Sequence, residues 1–388
     1  MTMTQKVSII PNEGMYQDND EFWFMGSCDK FIYKVNRNGM VEIVAEVPLD
    51  VTDEHRIYPR CIKKSNEIYC IPDKGKNILV YDLKWEKFKE IPIGSSQNKR
   101  LSIFNSWIQN DNLWCVSYGK NKILKINLNK FLVEKQFDVF EPKEQVGFEA
   151  IKTEESIYCI SNCSTRIREF NLSSESSKTF VIECQDKGFN TIVSHGENVY
   201  LTGYLDYIYC WNKNSNQIKK YRISDRTFRY NKNEKVTPRF YRSACLKNVI
   251  VFIPYNTQYS KSNHVVYLDK FTQEINSIDL SHMIGEPVAG EHFVIECFYD
   301  NTLEIGHMSN GYIFQIDFVE KSVSKKNMKF NKEQIQAFWN KNGIRKIQNE
   351  NELCELEDLF LMKKKDFERE GKREFGSNIW KKICVRFH

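Results

Sequence analysis

The chain has 388 residues, 41% of them hydrophobic and 13% aromatic, with only 17 Gly and 9 Pro, which excludes a disordered or collagen-like polymer and leaves two or three ordinary domains or one large repeat domain. Its 56 Lys and Arg against 51 Asp and Glu give a net charge of +5 with no long polybasic run, so bulk charge does not demand nucleic acid. No window reaches the ~18 apolar residues of a membrane span, and the start MTMTQKVSII has no charged region followed by a long apolar stretch; a cytoplasmic protein without membrane contact is the expectation.

In chain order, "KVSII" and "GMYQ" compete for the first strand, followed by "FIYKVN". Next comes "EIYCIPDKGKNILVYDL" (67–83), an apolar run, a Gly/Asp/Lys turn and a second run ending in Asp82. The second run recurs: "FIYKVN", "ILVYD", "ILKIN", "IREFN", "YIYCWN", "VVYLD" and "YIFQID" close on Asn36, Asp82, Asn127, Asn171, Asn212, Asp269 and Asp317, at spacings of 46, 45, 44, 41, 57 and 48. Each unit reads as strand a, strand b ("EIYC", "NLWC", "SIYC"), a turn, the marked strand c, a polar turn and strand d. Four strands at a period near 45 predict a propeller blade, because one sheet with two apolar faces must bury them against like neighbours. The expected blades cover 13–47, 58–93, 102–139, 147–182, 188–223, 240–280 and 292–330: an all-β, seven-bladed β-propeller over 1–330, with six or eight blades left open by the poor first strand.

The twelve cysteines contain no CxxC. Cys70, Cys115 and Cys159 repeat at equivalent strand-b positions, which predicts small core residues rather than metal ligands. The third-strand grammar resembles the bacterial β-propeller superfamilies grouped as YVTN-like, PQQ-like or kelch-like, over about 85% of the chain. No WD dipeptide closes strand c and no Gly-Gly doublet ends strand b. The resemblance implies that ligands or partners are received where the d-to-a and b-to-c loops surround the central channel.

On that face each strand a carries an aromatic residue with a polar neighbour: Tyr58 with Arg60, Phe104 with Asn105, Phe148 with Glu149, Phe189 with Asn190, Tyr241 with Arg242, and Phe293 with Glu296. Arg60 and Arg242 suit an anionic or hydroxyl-rich ligand, since a planar guanidinium matches carboxylate or phosphate oxygens. The competing reading is a channel whose charges neutralise one another. The spacing of 57 inserts two loops on the same face, "SDRTFRYNKNEKVTPRF" and "PYNTQYSKSN". From Ser224 to Arg242 lie Arg226, Arg229, Lys232, Lys235, Arg239 and Arg242 against Asp225 and Glu234, interleaved with Phe228, Tyr230, Phe240 and Tyr241, with a solvated loop packed on the blades as the alternative. The turns at 73–77 and 118–122 add Lys74, Lys76, Lys120 and Lys122, although glycine there first serves the backbone.

There is no GxGxxG, P-loop, HExxH or GxSxG, and the seven histidines lack metal-ligand spacing; neither a cofactor nor a metal is expected. Beyond Phe330 the pattern turns helical. Asn331 is placed to cap "NKEQIQAFWNKNG", and "NELCELEDLFLM" and "SNIWKKICVRF" each put apolar residues on one face, predicting a helical tail over 331–388 that docks on the rim or mediates oligomerisation. Three functional readings follow. The first is a non-enzymatic recognition or scaffold propeller binding a protein partner or a polar or anionic small ligand. The second is a hydrolase- or lyase-type enzyme on an anionic or sugar-containing substrate, with Glu149 or Glu296 as acid/base and Arg60 or Arg242 as charge stabiliser. The third, ranked last, is single-stranded nucleic-acid binding through loop 224–242.

Overall fold

The computed structural model describes residues 16–18, 21–25, 31–36, 38–48, 58–93, 101–118, 120–224, 229–230, 237–289, 293–307, 313–326, 329–331 and 353–355. Within them the chain forms seven antiparallel sheets in a ring, a seven-bladed β-propeller. Blade 1 runs from Tyr16–Asp18 through Glu21–Met25 and Phe31–Asn36 to Met40–Glu46. The later blades open on Arg60–Lys64, Leu101–Gln109, Val146–Lys152, Phe189–His195, Phe240–Cys245 and Phe293–Tyr299, and their blade order is a, b, c, d throughout.

Burial follows position in the blade. Strands b and c are sandwiched between neighbouring sheets and read as continuous apolar runs, as in Ser156–Ser161, buried along its whole length. Strands d form the rim and alternate, as in Lys87–Pro92. Cys70, Cys115 and Cys159 are fully buried in inter-blade cores, and burial pushes the Cys70 thiol up to about 12, which makes these cysteines inert filler.

The recurring Asn or Asp at the end of strand c has a single job. In blade 2 the Asp82 Oδ1 accepts the backbone N–H groups of Lys84 and Trp85 at 2.9 and 3.0 Å. Asn127, Asn171, Asn212, Asp269 and Asp317 do the same for the residues two and three further on. The residue four beyond the acceptor then takes a positive φ: Glu86, Phe131, Glu175, Asn216, Gln273 and Lys321 all lie between 50° and 61°. This is an Asx-capped turn closed by one left-handed residue.

"GMYQ" supplies the three-residue first strand, with Tyr16 opposite Trp23; "KVSII" lies outside the described residues. The chain leaving blade 7 crosses to blade 1, where Lys329–Asn331 lies parallel to its outer strand and Leu353–Glu355 pairs antiparallel beyond. This corrects one point of the expected tail. Asn331 ends a strand, and the described part of "NELCELEDLFLM" is a strand in place of the expected helix. An exposed sheet edge offers a full row of hydrogen-bonding groups, and pairing with it outweighs helical spacing. The rest of 331–388, including the helix expected near the C-terminus, lies outside the described residues. The described helix is the single turn Ser281–Ile284, and among the described residues no helix is long and apolar enough to cross a membrane.

Candidate functional site

Strands a line the axis, and in blades 3 to 7 each is interrupted by a bulge against strand b. In blade 3 the pairing steps from Ile103 to Asn105, in blade 5 from Phe189 to Thr191, in blade 6 from Phe240 to Arg242 and in blade 7 from Ile295 to Cys297. In blade 4 three residues, Gly147, Phe148 and Glu149, stand between the paired Val146 and Ala150. A bulge re-aims the unpaired side chain. The residues so released are Phe104, Phe148, Asn190 and Tyr241, at the end of the strand where the d-to-a loops enter.

Three of these join a cluster of rings. Phe148 is its hub, with centroids 5.8 Å from Phe104, 5.3 Å from Tyr118, 5.7 Å from Tyr241 and 6.0 Å from Tyr255. Tyr241 and Tyr255 stack at 5.6 Å, while Phe104 meets Tyr118 edge-on at 5.0 Å. All five rings are half-buried. Arg60 lies 5.7 Å over Phe104 and Arg242 4.9 Å over Tyr241, a cation–π arrangement at both flanks. Burial raises the Tyr118 and Tyr255 hydroxyls above the ordinary phenol range, so they remain protonated donors.

Beneath the rings, Glu149 ties three blades together. Its Oε2 accepts the Ile192 N–H of blade 5 at 3.0 Å and the Ser243 hydroxyl of blade 6 at 2.6 Å, and its Oε1 accepts the Ser243 N–H at 2.8 Å. Arg242 Nη1 donates to the Phe148 carbonyl at 3.0 Å, and Asn105 Nδ2 donates to the same oxygen at 3.2 Å. Asn190 Nδ2 reaches the Phe240 carbonyl at 2.5 Å. Burial pushes the Glu149 carboxyl up to about 6, and the positive charge of Arg242 with the Ser243 and Ile192 donors pulls the other way. A carboxylate whose oxygens are filled by backbone and hydroxyl donors is a brace between strands.

The structure thus brings Arg60, Asn105, Glu149, Asn190, Tyr241 and Arg242 to one side of the mouth, from blades 2 to 6. The bulged residue of blade 7 is Glu296, whose side chain lies outside the description. Phe189 and Phe293 are fully buried in inter-blade cores instead of facing the mouth. The two long insertions do share a face: Arg229–Tyr230 pairs antiparallel with Ser260–Lys261, making a two-stranded flap. Arg226 and Lys232 lie outside the described residues, as does the side chain of Arg229. The 73–77 turn is partly structural, since Asp73–Gly75 pairs with the first strand of blade 3.

Sequence reasoning missed Tyr118 and Tyr255, together with Tyr204, whose hydroxyl donates to the Asn162 carbonyl at 2.8 Å. A signal existed: in "LWCVSY", "VYLTGY" and "IVFIPY" the sixth residue of the strand-b run is Tyr in blades 3, 5 and 6. Ser243 and Ile192 had no such mark, because they act from other blades across the axis. Among the described residues no group of three or more His, Cys, Asp or Glu is arranged to hold a metal.

No known family profile matches the sequence, and no curated protein matches it. Solved structures do. A catalytically inactive variant of virginiamycin B lyase from Staphylococcus aureus, with quinupristin, aligns at TM-score 0.58 and 13% identity over 81% of this chain and 96% of its own. The WD40 repeats of RRP9 align at 0.54 and 12% over 78% and 88%. The computationally designed Ika8 protein aligns at 0.54 and 10% over 82% and 88%. A lyase, a WD40 repeat domain and a designed protein share this architecture, so the likeness shows the fold alone.

Proposed function

We propose that this chain is a non-enzymatic recognition propeller that receives a protein partner or a polar or anionic ligand over the aromatic mouth of blades 2 to 6. The observation that carries this reading is the five-ring cluster centred on Phe148, half-buried and flanked by Arg60 and Arg242. Aromatic residues and arginines on a rigid frame are what recognition surfaces concentrate, because they bring large contact area and directed donors at little entropic cost. Glu149 supports it from the other side. A general acid or base must present its oxygen to a substrate, whereas both Glu149 oxygens are engaged with blades 5 and 6.

The test is site-specific photo-cross-linking in the cells that make the protein, with benzoylphenylalanine at Tyr118 on the mouth or at exposed Lys219 on the rim. A discrete adduct is expected from Tyr118 alone. Equal capture from both positions, or none from Tyr118, contradicts the reading.

A further inference from the structure

The c-to-d turns share one backbone device but not one surface. In blades 3, 4 and 5 the two residues whose N–H groups the turn Asn accepts are polar and exposed: Asn129 and Lys130, Ser173 and Ser174, Asn214 and Ser215. In blades 2, 6 and 7 one of the two is large and apolar, and it faces solvent: Trp85 is 64% exposed, Phe271 78% and Val319 59%. Phe298, at the same end of strand a in blade 7, is 46% exposed. The turn itself does not call for these side chains, because its Asx acceptor and left-handed residue are present in all six blades. Exposed apolar side chains gathered on one arc of a surface mark a contact. Leu132, one residue past the blade 3 turn, is an exception on the polar arc.

Blades 6, 7, 1 and 2 are consecutive around the ring, so the apolar turns flank blade 1. Those of blades 6 and 7 are bonded into one surface. The Lys247 N–H donates to the Asp300 carbonyl at 2.7 Å, the Asn248 N–H to Asn301 Oδ1 at 2.8 Å, the Lys270 N–H to the Asn248 carbonyl at 2.9 Å and the Phe318 N–H to the Asn301 carbonyl at 3.0 Å. Exposed charges there are mixed, Lys247 and Lys321 against Asp300 and Glu320, so an occupant is held by apolar contact rather than by charge. On the blade 2 flank the Lys84 ammonium lies 4.8 Å over the Trp85 ring, which covers one face of it and leaves Phe271, Phe298 and Val319 as the more open surface.

The chain's own path leads to this place. Lys329 lies opposite Met40 in the parallel pairing, and Glu355 lies opposite Lys329 in the antiparallel one. Met40 is the first residue of strand d after the c-to-d turn of blade 1, so the chain leaves Glu355 at the turn end of blade 1, beside blade 7. Downstream, "SNIWKKICVRF" places Ile379, Trp380, Ile383 and Phe387 at one helical face. Between Glu355 and Ser377 lie 21 residues, which span roughly 70 Å when extended, against about 10 Å between packed sheets. A tether of this kind holds the segment near the patch at a concentration on the order of millimolar.

We infer that residues 377–388 of the same chain dock on the turn face of blades 6 and 7, packing Ile379, Trp380, Ile383 and Phe387 against Phe271, Phe298 and Val319. The contact lies on the face opposite the mouth and does not depend on the recognition reading.

The test places benzoylphenylalanine in the full chain at Val319, at Phe271, or at Ser174 on the polar arc, and maps the photo-adducts by mass spectrometry after gel separation. The expected result is an adduct from 319 and 271 to a peptide within 377–388, found in the monomer band, independent of protein concentration and unchanged by added salt. None is expected from 174. The yield should fall at least about fivefold in Trp380→Asp and hold in the rim variant Lys219→Glu. Circular dichroism melting confirms that each variant is folded, and the two probe positions on exposed turns keep the test informative if one of them disturbs its turn. Adducts found only in a dimer band, which would give the patch to a second copy, overturn the inference. So do equal yields from 174, a yield indifferent to Trp380→Asp, or no adduct from either 319 or 271.

Discussion

The two faces of this ring are built by opposite rules. On the face of the c-to-d turns, blades 2 to 7 repeat one device, an Asn or Asp accepting two backbone N–H groups and a left-handed residue closing the turn. On the mouth face the bulge residue varies: Phe104 and Phe148 in blades 3 and 4, Asn190 in blade 5 and Tyr241 in blade 6. Repetition on one face specifies the hairpins, which frees the other face to vary. The comparison teaches that in a repeat ring the recurring residues report architecture and the non-recurring ones report use.

Several substitutions would break or sharpen that contrast. The largest effect is expected at Glu149, a mouth residue recruited into structure. Glu149→Ala leaves the Ser243 and Ile192 donors without their acceptor and removes the negative charge that interacts with Arg242, and should cost about 3–5 kcal/mol in urea unfolding. A loss below about 1 kcal/mol would mean that the brace is ornamental.

Acidity gives the next largest effect. With its folded-state pKa raised from 4.5 to about 6, Glu149 binds a proton more readily in the folded than in the unfolded chain. Its contribution is therefore fully present below pH 4.5 and is lost as pH rises through 6, by about 2 kcal/mol. The difference in unfolding free energy between the wild type and Glu149→Gln, measured from pH 4 to 8, should change across that window and be flat outside it.

On the repetitive face the effects are smaller and interchangeable between blades. Asp269→Ala removes the acceptor of the Phe271 and Thr272 N–H groups and should cost about 1 kcal/mol, as should Asn171→Ala. Asp269→Asn should be nearly silent. Smallest, and opposite in sign, is Lys321→Gly. At a φ of 51° it relieves a left-handed residue and should gain about 0.5 kcal/mol in the same assay.

The contrast also accounts for what was legible in the sequence. Asn36 through Asp317 announced the ring because the Asx turn needs a side-chain acceptor at a fixed place in every blade. Arg60, Glu149 and Arg242 stand out as candidates because they follow an aromatic residue at the same blade position. Their partners were harder to see. Ser243 reaches Glu149 from 94 residues away, and nothing local marks a hydroxyl that acts across the axis. The bulges were hidden because two adjacent apolar residues, as in Phe240-Tyr241, read equally well as an uninterrupted strand. The strands at Lys329–Asn331 and Leu353–Glu355 were missed for a related reason. Their pairing is dictated by the outer edge of blade 1, some 300 residues earlier, while local spacing there suggests helices.

The division of labour between the faces is tested most directly by hydrogen–deuterium exchange on the chain with and without its cross-link-identified partner. Amides at 102–106, 146–150, 239–243 and 253–257 should exchange more slowly in the complex, while the turns at 82–86, 171–175 and 317–321 remain unchanged. Protection confined to those turns, with the aromatic mouth unaffected, would contradict the account.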